Sequence, residues 1–172
     1  MATTARPTRR ASKFDSLEQE AYLQLWRTYD RLKAIEDRLF DEVELSAQQY
    51  NTLRLLRSVR QHGDGRPQTM PTSALAARLV SRAPDMTRLL DKLEERGLLV
   101  RERKAENRRV VECGITPAGV TLLDSLAERV EACHAEQLGH LGAKKLKELI
   151  AALKEARGPH EDAAGHWPGN QT

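Results

Sequence analysis

Between Val100 and Val111 the chain reads VRERKAENRRVV, and five basic side chains (Arg101, Arg103, Lys104, Arg108, Arg109) fall within nine positions. Apolar runs flank the segment on both sides, which predicts two strands joined by a polar tip. Like charges concentrated at a hairpin tip repel one another, so either solvent or a polyanion must accommodate them. A second basic pair precedes the hairpin. In PDMTRLLDKLEERG, residues 84–97, Met86, Leu89, Leu90 and Leu93 recur at helical spacing and predict a buried face. Asp85, Arg88 and Lys92 then lie on the opposite face, with Thr87 at the margin. Arg88 and Lys92 are four residues apart and point the same way. An arginine so placed can pair bidentately with guanine in the major groove of DNA.

The charge distribution supports a polyanion. Residues 66–109 hold 11 basic and 6 acidic groups, whereas residues 14–65 hold 7 and 10 and residues 110–172 hold 6 and 9. Residues 1–13 add four basic groups and no acid. A basic internal block between acidic flanks is the expected footprint of a nucleic-acid surface on an otherwise solvated body.

Other chemistry is poorly supported. Cys133, His134, His140, His160, Glu161, Asp162 and His166 lack the tight spacing of metal ligands, so no metal or other cofactor is expected. Cys113 and Cys133 fall at apolar-face positions and read as small buried hydrophobes. No nucleophile–base pair, phosphate-cradling glycine loop or catalytic carboxylate pair is visible, and an enzyme is not expected. There is no run of about 20 apolar residues for a membrane span and no apolar segment for a secretory signal, so a cytoplasmic protein is expected.

The elements that must position the two basic groups follow from periodicity and punctuation. Tyr22, Leu25, Tyr29, Leu32, Ile35 and Leu39 predict a long first helix over about 16–40. A second begins with Ser46 as N-cap and Leu45 as staple, and carries Tyr50, Leu53, Leu56 and Val59 on its apolar face. The Gly63-Asp64-Gly65 cluster ends it. A short third helix runs through Leu75, Ala76 and Leu79, and the fourth is 84–97, with Pro84 in its first turn and Gly97 at C′. After the hairpin, whose return strand turns Val111, Cys113 and Ile115 to one face, Thr116 and Pro117 start a fifth helix with Leu122, Leu126, Val130 and Cys133 on its stripe. Gly139 and Gly142 interrupt, and a sixth helix with Leu146, Leu149, Ile150 and Leu153 runs to the stop at Gly158-Pro159. The fold class expected is mainly α with a small β-hairpin wing: a winged helix-turn-helix over about 45–116, flanked by helices over about 16–40 and 117–157. A basic arm (1–13) and a tail (159–172) are expected to be disordered.

At ALAARL, MTRLLDKLEERGLLVR and NRRVVECGITPAG the chain resembles the MarR family of bacterial transcription regulators, over about Leu45 to Gly119. The resemblance implies a homodimer joined through its terminal helices, with a recognition helix in each major groove and a wing tip in each minor groove. With the residue geometry above, DNA contacts are expected from Asp85, Thr87, Arg88 and Lys92 on the helix and from Arg103, Lys104, Asn107, Arg108 and Arg109 on the wing. The family carries Asp-x-Arg at the wing tip, and Arg109 retains the arginine while Asn107 replaces the aspartate. The resemblance also implies a repressor that binds an inverted-repeat operator and releases it on binding a small-molecule effector. The effector pocket would lie between the dimer helices and the winged unit. Tyr22, Trp26 and Tyr50 are candidates for its lining and equally for core. Two other readings remain open from sequence: a winged-helix protein–protein adaptor without DNA readout, and a small hydrolase or transferase. The first has no use for basic groups on both DNA-facing elements, and the second lacks a site.

Overall fold

Short polar side chains mark where four of the helices begin in the computed structural model, which describes residues 14–61, 69–79, 85–103 and 110–161. Ser16 accepts from the Gln19 amide at the start of α1 (Leu17–Asp41). At α2 (Ala47–Gln61), the Ser46 hydroxyl accepts from the Gln49 amide while the Gln49 side chain accepts from the Ser46 amide, a reciprocal capping box. Asp85 caps α4 (Met86–Glu95), and Thr116 caps α5 (Pro117–Leu138), which has Pro117 in its first turn. Each cap satisfies one backbone donor that the helix itself cannot. Two elements lack such a cap: the short α3 (Thr72–Arg78), and α6 (Gly142–Arg157), which follows a 3-10 turn over Gly139–Leu141.

The expected hairpin is present as β2 (Leu99–Arg103) and β3 (Val111–Ile115), paired antiparallel with Arg101 opposite Cys113. A third strand joins it. Met70 and Pro71 form β1, which pairs with β3 on its other side, so the sheet order is β1-β3-β2. This corrects the expectation that β3 buries only one face. As the central strand it buries Glu112 and Gly114 along with Cys113 and Ile115. Thr69 covers the second face: its hydroxyl donates to the Glu112 carboxylate, and its methyl lies 3.2 Å from where a Gly114 Cβ would sit.

The core lies where α2, α3, α4 and the sheet meet the first half of α5. Leu53, Leu56, Leu75, Leu90, Leu93 and Leu99 are fully buried there, and Phe40 from the end of α1 packs on Tyr50 with ring centroids 4.8 Å apart. On α5 the buried stripe is Gly119, Leu123, Leu126, Val130, Cys133 and Gln137. Leu123 rather than the expected Leu122 is the deep residue, because Gly119 lets that turn sit flush on the sheet; a Cβ there would meet the Leu98 carbonyl oxygen at 2.3 Å. The Gln137 amide spans to α1 and donates to the Leu32 carbonyl at 2.8 Å.

Pro84, the Gly63-Asp64-Gly65 cluster, the basic arm 1–13 and tail residues 162–172 lie outside the described residues. Of the expected tail, 159–161 is described: Pro159 and His160 lie in a 3-10 turn, Gly158–His160, that continues α6, and Glu161 pairs with Arg157.

Candidate nucleic-acid interface

The local sequence of α4 separates its two faces. Leu89, Leu90 and Leu93 are buried and Met86 is partly buried, while Thr87, Arg88 and Lys92 are exposed. The helix starts at Met86, two residues later than with Pro84 as its first residue, because Asp85 is the N-cap: its carboxylate accepts from the Arg88 amide at 2.9 Å. That bond turns Asp85 toward the helix's own backbone. At the other end Gly97 adopts φ +66, the left-handed conformation that closes a helix and that glycine reaches without strain. The turn sends the chain directly into β2.

Two grooves flank the exposed ridge of α4. One, of about 250 Å³, runs between α4 and the start of α2 and is lined by Ser46, Gln48, Gln49, Asp85, Arg88 and Lys92, with Leu89 at its base. The other, of about 370 Å³, lies between α4, α3 and the sheet, and includes Thr72, Ser73, Thr87 and Arg101 in its walls. Arg88 and Lys92 thus share a groove, as their spacing predicts, and Thr87 faces the other one. Arg103 is exposed at the end of β2. Lys104, Asn107, Arg108 and Arg109 lie outside the described residues, as does the expected wing tip they form.

Sequence reasoning missed the polar contacts that hold α4 in place. Arg101 forms ion pairs with Asp91 at 2.6 Å and with Glu94, both on α4. Arg96, at the helix's C-cap, donates to the Glu44 carbonyl at 2.6 Å and to the Val43 carbonyl at 3.1 Å. These carbonyls belong to the elbow between α1 and α2, where Glu44 takes the left-handed φ of 53. From the other side Arg129 of α5 pairs with Glu42 of the same elbow. No periodicity marks such bonds, since each joins residues across a turn or between distant elements. The one usable signal was the excess of acids on a helix otherwise suited to a polyanion: Asp91 and Glu94 required partners.

The candidate effector residues divide. Tyr50 is core, with burial raising its phenol pKa. Tyr22 and Trp26 are exposed on α1, their rings tilted and 6.3 Å apart. Cys113 and Cys133 are both free and buried, and burial raises both thiols. Among the described residues no cluster of three or more His, Cys, Asp or Glu side chains could hold a metal, and no helix is long and apolar enough to cross a membrane.

A capped helix lying across a second short helix, followed by an antiparallel hairpin on a small sheet, defines a winged helix-turn-helix. The MarR family profile matches residues 45–111. A crystal structure of a MarR transcription factor from Planctomyces limnophilus is 60% identical, over 83% of this chain and 98% of that one, with a TM-score of 0.63. The chain belongs to the MarR family. The same fold is seen in a mutant MarR from E. coli complexed with operator DNA, at 18% identity over 83% of this chain and 99% of that one, TM-score 0.69. It is seen again in BpsR of Bordetella bronchiseptica, whose DNA binding is regulated by 6-hydroxynicotinic acid, at 20% identity over 80% and 98%, TM-score 0.68.

Proposed function

We propose that the chain acts in the cytoplasm as a homodimeric, sequence-specific transcription repressor that binds an inverted-repeat operator and releases it on binding a small molecule. The observation that carries the DNA reading is the division of α4. Three leucines anchor the helix in the core while Arg88 and Lys92 stand exposed in one groove, with Arg103 exposed on the neighbouring strand. A major groove about 12 Å wide admits such a helix, and an arginine there can read guanine by its N7 and O6 acceptors. Thr87, in the other groove, would take a phosphate or a base edge. Asp85 serves this arrangement as the cap that orders the first turn. Wing contacts by Lys104, Asn107, Arg108 and Arg109 complete the reading, with Arg109 entering the minor groove.

The dimer is supported by what the single chain leaves uncovered. Leu17, Tyr22, Leu25, Trp26 and Tyr29 on α1 are exposed, as are Ile150 and Leu153 on α6. An apolar surface of this size on a helical body marks an association site. Operator binding by the E. coli relative and effector control of the Bordetella relative support the remaining parts by kinship.

Selection from a random duplex pool, followed by competition binding, tests the proposal. The selected sites should be inverted repeats with half-site centres about one helical turn, ~10 bp, apart. Affinity should fall roughly 10³–10⁵-fold between 50 and 200 mM salt if ~6–10 phosphates are neutralised. Arg88→Ala should cost about 1–3 kcal/mol per half-site and blunt the preference at one base pair. A chain that selects no duplex at low salt does not have this function.

A further inference from the structure

Arg101 belongs by sequence to the same basic cluster as the wing residues, but its side chain is turned onto α4. Its Nε donates to Glu94 Oε2 at 2.8 Å, and Nη2 reaches both Glu94 Oε2 and, at 2.6 Å, Asp91 Oδ1. Its backbone amide donates to the second Glu94 oxygen at 3.1 Å. β2 is an edge strand, so that amide has no strand neighbour on this side and Glu94 supplies its acceptor. Only a quarter of the Arg101 side chain is exposed. Asp91 and Glu94 are three residues apart on α4 and so face the same way. One planar guanidinium can satisfy both carboxylates at once, which a lysine ammonium cannot do in the same geometry. Glu94 also responds electrically: the Arg101 hydrogen bond holds its carboxyl below the usual carboxylate range.

The consequence is mechanical and electrostatic together. α4 and β2 are joined by a rigid polar clasp seven residues apart in sequence, across the Gly97 turn. The clasp also sets one positive charge against two negative charges on the helix that carries Arg88 and Lys92. Without Arg101, Asp91 and Glu94 would present uncompensated carboxylates beside the basic face.

Resting on the DNA reading above, we infer that Arg101 is a positioning residue, which fixes the angle between recognition helix and wing and screens Asp91 and Glu94 from the polyanion without itself touching DNA. A direct phosphate contact and a positioning role differ in salt dependence, since each lost phosphate contact lowers the slope of log K against log salt by about 0.9. The experiment measures binding of a duplex selected by the wild-type chain, and of an unrelated duplex, across a salt series. The variants are Arg101→Gln, Arg101→Lys, and Arg101→Gln combined with Asp91→Asn and Glu94→Gln.

Arg101→Gln should weaken binding to the selected duplex by about 5- to 150-fold, the range for losing one well-aligned base contact, with the salt slope changing by well under ~0.9 per subunit. The combined variant should recover affinity for the unrelated duplex to the wild-type level, because the exposed carboxylates are gone. Arg101→Lys keeps the charge and lacks the fork, so it should bind the unrelated duplex as wild type does while losing selectivity. It also serves if Arg101→Gln fails to fold. A salt slope lowered by about 0.9 per subunit, with no recovery in the combined variant, would make Arg101 a phosphate contact and overturn the inference. Undiminished selectivity in both Arg101→Gln and Arg101→Lys would overturn it as well. A wild-type chain that selects no duplex sinks the DNA reading itself, whereas selection by wild type with equal binding by the variants sinks only the role of Arg101.

Discussion

The winged unit and the terminal helices solve the problem of burial in opposite ways. Residues from α2, α3, α4 and the sheet contribute most of the fully buried side chains, and each of these elements covers its neighbours. By contrast α1, 25 residues long, buries only Phe40, and α6 buries none of its 16 residues. Yet both terminal helices carry apolar side chains at helical spacing, as the core helices do. The difference is in what lies opposite: among the described residues none buries Tyr22, Trp26 or Ile150, which stay exposed within one chain. An amphipathic stripe therefore reports that a helix needs a partner and leaves open whether that partner is in the same molecule.

The largest effect should come from placing charge on the uncovered stripe. Trp26→Glu together with Ile150→Glu should dissociate the dimer. Each site loses about 1.5–3 kcal/mol of apolar burial, and a two-fold interface loses it twice. Sedimentation should then show a folded monomer with helical content preserved. A variant that stays dimeric would break the contrast between the two regions. Next, Leu93→Ala in the winged core should cost about 2–5 kcal/mol of stability, as large-to-small core changes do, at any protein concentration. Denaturant unfolding at two concentrations checks this, because a terminal-helix change such as Leu153→Ala should show its effect mainly through concentration dependence.

Within the winged half, the helix and the wing should part in their dependence on flanking DNA. Arg109→Ala should weaken binding most where the flanks are A·T-rich, since a narrow minor groove concentrates negative potential, and Arg88→Ala should be indifferent to the flanks. Asn107→Asp should tighten A·T-flanked sites slightly, by restoring a carboxylate that orients Arg109. Competition binding on operators with exchanged flanks measures all three, and equal flank-independent losses for the two arginines would reduce both to phosphate contacts.

The smallest effects concern acid, and they have opposite signs in the two regions. Glu94 is held below its ordinary pKa by Arg101, so its contribution is complete above about 4.5 and is lost as pH falls through the lower folded value. Glu36, on α1, is pushed up by burial, against which His134 acts only in part. It therefore has no effect below about 4.5, destabilises increasingly as pH rises from there, and does so fully above its folded value. Glu94→Gln should thus destabilise at pH 7 and Glu36→Gln should stabilise there; by pH 4 the Glu36 difference should be largely gone while the Glu94 difference only begins to shrink. Thermal melts at the two pH values would reveal a matching sign, which would contradict this assignment.

What was legible in the sequence followed the periodicities. The six helices could be read because apolar residues recur at helical spacing and because Ser46, Thr116 and Gly97 are residues whose capping chemistry is local. The two strands of the hairpin were legible for the same reason. β1 was not: two residues including a proline carry no period, and only the sheet gives Met70 and Pro71 their role. The burial of Glu112 and Gly114 depends on that unseen strand, and the preference for Leu123 over Leu122 depends on the close approach at Gly119. In the candidate site, the exposure and pairing of Arg88 and Lys92 followed from spacing alone. The partition of Thr87 into a separate groove, the capping role of Asp85 and the withdrawal of Arg101 depend on where other elements stand.

Gly119 also acts as a fulcrum stop for the longest element behind the winged unit. Its α-carbon faces the Leu98 carbonyl so closely that any side chain would have to push the helix outward by about 1 Å to reach ordinary contact, starting from 2.3 Å. α5 is held in the core one turn later, at Leu123. At 1.5 Å of rise per residue the push acts about 6 Å from that pivot, while the far end at Leu138 lies about 22 Å beyond it. A rigid rod so levered swings by roughly 4 Å at its tip, where α6 and the uncovered stripe begin. In the proposed dimer, the reach between two copies of the chain would thereby be geared to one missing methyl group.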